Sequence, residues 1–125
     1  MRHLIIIVFI LFSSFSFAQE NKIKNNEMTC ETATEKALQD ANNGIYKYIT
    51  YGMVASSDWD FDKFYWAYVK DKYNVILGAG GCIVTPEIVC YNRKMKELIH
   101  DKFGNDFFEE AKREANVLYK QKSSK

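Results

Sequence analysis

The stretch IYKYITYGMVASSDWDFDKFYWAYVKDKYNVILGAGG, residues 45–81, decides the fold. Its first seven residues are, apart from Lys47, β-branched or aromatic and lie between Gly44 and Gly52, the composition and punctuation of a strand. Ile45, Ile49 and Tyr51 load one face of that strand, Tyr46 and Tyr48 the other. Ser56, Ser57 and Asp58 then offer helix caps, and Asp58, Asp60 and Asp62 bring negative charge to the helix's positive end. Phe61, Phe64, Tyr65, Tyr68 and Val69 recur at helical spacing, which predicts a helix reaching about Lys72. Val75-Ile76-Leu77 begins a second strand that runs into Gly78-Ala79-Gly80-Gly81. A helical crossover permits parallel pairing of the two strands, and antiparallel pairing stays open.

Outward from this unit the chain reads as helices. On the N-terminal side Cys30, Ala33, Ala37, Leu38 and Ala41 form one apolar stripe, ended by Asn43-Gly44. Thr32 with Glu35 fits a capping box, and Thr29 offers a start one turn earlier. On the C-terminal side Thr85-Pro86-Glu87 opens a third helix, which buries Ile88, Tyr91, Met95, Leu98 and Ile99 and ends at Phe103-Gly104. Asn105 caps a fourth, with Phe107, Phe108, Ala111, Ala115, Leu118 and Tyr119 inward and Glu109 and Arg113 paired four apart outside. Residues 121–125 form a frayed tail. The expected fold class is α+β, with about four helices on a sheet of two or three strands, Cys82-Ile83-Val84 being the candidate third.

Residues 1–18, MRHLIIIVFILFSSFSFA, carry a basic start, a short apolar run and the small-x-small ending of Ser16-Phe17-Ala18 that signal peptidase cuts after. The run is too short for a permanent membrane span. An exported chain beginning at Gln19 is expected, with a polar lead-in over residues 19–28 and one domain over residues 29–120. The whole chain has 17 basic and 16 acidic side chains, and losing Arg2 with the leader leaves the charges balanced. A balanced charge with no basic stripe argues against nucleic-acid binding.

Several segments resemble a group of small exported proteins of Bacteroidetes named for a Phe-Glu-Lys-Lys-Tyr motif. They are V-K-D-K-Y-N from Val69, G-G-C from Gly80, C-Y-N from Cys90 and K-F-G-N-D-F-F-E from Lys102. Val69 stands where the motif has phenylalanine. The resemblance covers the C-terminal half and implies an exported single domain. It assigns no activity and no site residue.

Chemistry is sparse. Three cysteines in an exported chain leave one pair and a spare thiol, or an intermolecular bridge. Cys90 points off the apolar stripe of its helix and Cys82 precedes it closely, so a Cys82–Cys90 disulfide is expected, worth roughly 2–3 kcal/mol on the loop-entropy model. Cys30, on an apolar stripe, reads as buried and inert. The rival for Cys82 is a nucleophile in a glycine-rich turn. Its natural base, His100, lies about 15 Å along a helix from Cys90, and reads more simply as a helix-end residue complementing the dipole. Asp58, Asp60 and Asp62 fail as a calcium loop, because Lys63 and Val69 replace the required glycine and glutamate. Residues 78–81 match no phosphate loop, and the single histidine left after the leader, His100, gives no zinc set. No metal or cofactor is therefore expected.

Trp59, Trp66 and Tyr73 are seven apart, on the side of the second helix opposite its Phe61/Phe64/Tyr68 stripe. Buried, they would mark a helix sandwiched on two sides; exposed, they would mark a contact surface. The expectation drawn from all this is a non-enzymatic exported binding domain with an unidentified protein or small-molecule ligand. The alternatives are a small enzyme using Cys82 or carboxylates, and an envelope structural protein.

Overall fold

The computed structural model describes residues 29–52 and 56–124, which form one small α+β domain. The chain runs α1 (Cys30–Asn42), β1 (Tyr46–Thr50), α2 (Trp59–Tyr73), β2 (Val75–Ala79), α3 (Pro86–Phe103) and α4 (Phe107–Ser123). The expected leader and lead-in, residues 1–28, lie outside the described residues.

The strands pair in parallel, with Tyr46 beside Val75, Tyr48 beside Leu77 and Thr50 beside Ala79. Alternation sends Tyr46, Tyr48, Val75 and Leu77 to one face, where all four join the core. On the other face glycines replace side chains opposite bulky partners. A Cβ on Gly78 would sit 3.4 Å from Ile49, and one on Gly80 would overlap the Tyr51 ring. β1 thus leans its side chains across β2. The sheet has two strands among the described residues. Cys82-Ile83-Val84 is not a third strand: the segment is irregular and Ile83 is 78 % exposed.

The helices begin and end where local chemistry directs. Thr29 caps α1 by accepting from Thr32 N at 3.3 Å, while Thr32 Oγ1 accepts from Thr29 N at 2.8 Å, so the earlier of the two possible starts is the one used. Asp58 caps α2 through Phe61 N at 2.9 Å, and Asn74 ends it in the left-handed region at φ 55°. Thr85 and Pro86 open α3. Three expectations at the C-terminal end are corrected. The residue before α4 is Asp106, with no side-chain cap, instead of Asn105, and α4 continues through the supposed tail to Ser123. On its wet side Arg113 approaches Glu110, 4.0 Å away, three residues back and not four.

The core is built from Ala37, Tyr65, Val69, Val75, Met95, Ile99, Phe107, Ala111 and Ala115. Leu118, expected inward, is 43 % exposed, while its neighbour Tyr119 is the residue of that turn that packs on Phe61 and Phe64 of α2. The disulfide pairing is also corrected. Cys90 bonds to Cys30, and Cys82 is a free, exposed thiol. The helical wheel of α3 alone sends Cys90 to solvent, yet α1 packs along that very side. Ala33 and Ala37, both fully buried, let the two backbones approach closely. Cys30, expected to be buried and inert, instead heads α1 at the surface and reaches Cys90 across that seam.

Candidate functional site

The parallel ladder decides where the site is. Thr50 O accepts from Gly80 N, so Thr50 faces β2 and the preceding carbonyl, Ile49 O, must face the free edge of β1. Asn92 of α3 donates its side-chain amide to that carbonyl at 2.6 Å. This bond lays α3 along the edge of β1 and leaves a cavity on each side of the seam. Open parallel sheets receive ligands at the carboxyl ends of their strands, and both cavities include Tyr51, just beyond the end of β1.

The first cavity, about 470 Å³, is walled by Tyr48 and Thr50 on β1 and by Asn92, Arg93, Lys96 and His100 along α3. A second, about 350 Å³, adjoins it across Tyr48, Thr50 and Lys96 and continues onto Tyr65, Trp66, Leu77 and Phe108. The aromatic wall is continuous: Phe108 lies 5.3 Å from Tyr48 and 5.5 Å from the His100 ring, centroid to centroid. Tyr65 donates its hydroxyl to Phe108 O at 3.1 Å, and burial pushes its pKa up to about 12, so it stays a neutral donor. His100 Nε2 is buried and has no hydrogen-bond partner among the described residues. Arg93 rests its guanidinium 3.6 Å from Cys90 Sγ, so the disulfide braces one wall of the cavity.

The third cavity, about 380 Å³, lies on the other sheet face among Lys47, Ile49, Tyr51, Asp40 and Tyr91. Asp40, Tyr91 and Lys36 there already bind one another. Tyr91 donates to Asp40 at 2.9 Å and Lys36 pairs with the same carboxylate at 2.8 Å. Burial raises the Asp40 pKa, but the hydrogen bonds from Lys36 and Tyr91, with the charge of Lys47, outweigh it and hold the carboxyl below its ordinary range. Burial, then Asp40, pushes the Tyr91 hydroxyl up.

The aromatic line of α2 does not form one surface. Trp66 walls the second cavity. Trp59 is 44 % exposed and meets Trp66 edge to face at 6.3 Å. Tyr73 is internal fastening. Its ring packs on Phe103 and Phe107, and its hydroxyl donates to Glu114. Cys82 belongs to none of the three cavities. Among the described residues no cluster of three or more His, Cys, Asp or Glu side chains is placed to hold a metal.

His100, Lys96 and Arg93 were missed as a set, although their signal was present. With Asn92 and Val89 they recur every three or four residues, a polar-edged face of α3 next to its apolar stripe. A solvated face has the same spacing, and only the position of β1 makes it a wall.

Comparison with known proteins adds no relative: no family model matches the chain, nor does any curated protein or solved structure.

Proposed function

We propose that the protein is an exported binding module that holds a small ligand in the two cavities meeting at Tyr48, Thr50 and Lys96. One observation carries the reading: a largely apolar, aromatic-walled hollow lies at the carboxyl end of a parallel sheet, lined in part by His100, whose buried Nε2 has no hydrogen-bond partner among the described residues. The disulfide supports export, since such bonds persist in oxidising compartments. No helix among the described residues is long and apolar enough to cross a membrane. Cleavage after Ala18 completes the proposal. The thiol-enzyme alternative has less behind it, because Cys82 lies away from the cavities and from His100's wall.

The neutral dye N-phenyl-1-naphthylamine tests the site. Saturable one-to-one binding is expected, weakened at least about tenfold by Trp66→Ala and unchanged by Trp59→Ala. No saturable binding, or equal effects of the two substitutions, would overturn the assignment.

A further inference from the structure

We infer that the ligand is an anionic amphiphile, its apolar body lying on Tyr48, Trp66 and Phe108 and its single carboxylate received by Arg93, Lys96 and His100. The inference rests on the binding-module reading and adds the ligand's chemistry and direction. The two cavities differ in character. The second is walled by Tyr65, Trp66, Leu77 and Phe108, while the first presents Asn92, Arg93, Lys96 and His100. Lys96 belongs to both, so it stands at the boundary between the two.

The charge balance gives the sign. The described residues form four ion pairs, and none uses Arg93 or Lys96. Glu97, the one carboxylate on the first cavity's wall, is drawn off by Lys94 at 3.0 Å. In the second cavity Glu109 and Lys112 offset each other. Arg93 and Lys96 therefore line the first cavity without an ion pair of their own among the described residues, and outnumber its one carboxylate, Glu97. Beside them stands His100, whose Nε2 is buried behind the cavity surface with no hydrogen-bond partner among the described residues. Buried polar groups in folded proteins are nearly always satisfied, so this ring has reason to turn toward an acceptor in the cavity. A carboxylate there meets Lys96 directly and His100 once its ring turns, with charge-assisted bonds. The predominantly carbon walls disfavour a glycan, whose hydroxyls would lose water without replacement.

Indole-3-acetate and its neutral isostere indole-3-acetamide test this, by displacement of the naphthylamine dye and by the ring signals of His100 in NMR. The acetate is expected to bind about tenfold more tightly than the amide and alone to shift the His100 signals. Lys96→Met should abolish the preference and Lys96→Arg restore it, while Trp66→Ala weakens both ligands alike. Lys96 is exposed, so these variants keep the fold. Equal affinities, or a preference surviving Lys96→Met, would overturn the anionic assignment and leave the binding module standing. Dye binding with displacement by neither indole would overturn the ligand class alone. Absence of both dye binding and His100 shifts would overturn the two readings together.

Discussion

Cys30, at the head of α1, is disulfide-bonded to Cys90, in the second turn of α3, across a sequence separation of 60 residues. Closing so long a loop stabilises the fold by about 4 kcal/mol on the loop-entropy model, against roughly 2–3 kcal/mol for the short Cys82–Cys90 bridge. The paired substitution Cys30→Ala/Cys90→Ala should destabilise the protein by about that amount in denaturant unfolding. Because Arg93 leans on the same sulfurs, it should also weaken indole-3-acetate more than the amide.

Thiol counting checks the pairing directly. The exported protein should take up one alkyl group before reduction and three after it, with the first mapped to Cys82. Its intact mass should start at Gln19. Alkylation mapped first to Cys30 would refute the bridge.

Glu114 fastens α4 to α2, accepting from Tyr68 and Tyr73 at 2.8 Å each and from Lys72 at 3.0 Å. The Lys72 ammonium, with the two hydroxyls, pulls its carboxyl from an ordinary 4.5 to about 2. A depressed carboxylate pKa stabilises the fold above the unfolded value, and the contribution is lost as pH falls through the folded one. The stability gap between wild type and Glu114→Gln should therefore be constant above pH 4.5 and close between about 4.5 and 2. Thermal unfolding across that range measures it. The site is exposed, so raising the salt concentration should narrow the gap as well.

Gly80 lies under the Tyr51 ring, where a Cβ has no room, whereas Gly81 has nothing nearby. Gly80→Ala is expected to cost about 1–3 kcal/mol as the ring is displaced. Gly81→Ala should stay within about 0.5 kcal/mol of wild type. Chemical denaturation of both variants separates steric crowding from loss of glycine as such.

Asn92→Leu removes the donor that holds Ile49 O and leaves that carbonyl unpaired against α3. A loss of about 1–3 kcal/mol is expected. The seam between the first and third cavities should loosen with it, seen as faster amide exchange in the preceding turn of α3.

Local signals were strong enough to reveal most of the architecture. Asp58, Thr85-Pro86 and Gly104 act within one turn of the chain, so their effect is legible without knowing the neighbours. The same holds for the β-branched run of β1 and for the apolar stripes of α2 and α3. Legibility failed where a residue's fate depends on a second element. Cys90 looks solvent-facing on its own helix and is buried by α1. Tyr73 looks like part of an exposed aromatic line and is taken up by Phe103, Phe107 and Glu114. His100 looks like a dipole partner and stands in a cavity wall.

The sequence by itself determined which segments are helix or strand, because hydrophobic periodicity, caps and turn residues are properties of neighbours in the chain. It also determined that three cysteines leave one unpaired within a monomer. Only the tertiary structure decided which cysteine that is, that the strands run parallel, and that Arg93, Lys96, His100 and Trp66 surround adjoining hollows. Those outcomes depend on how faces from distant segments meet, and periodicity along one helix names a face without naming what packs against it.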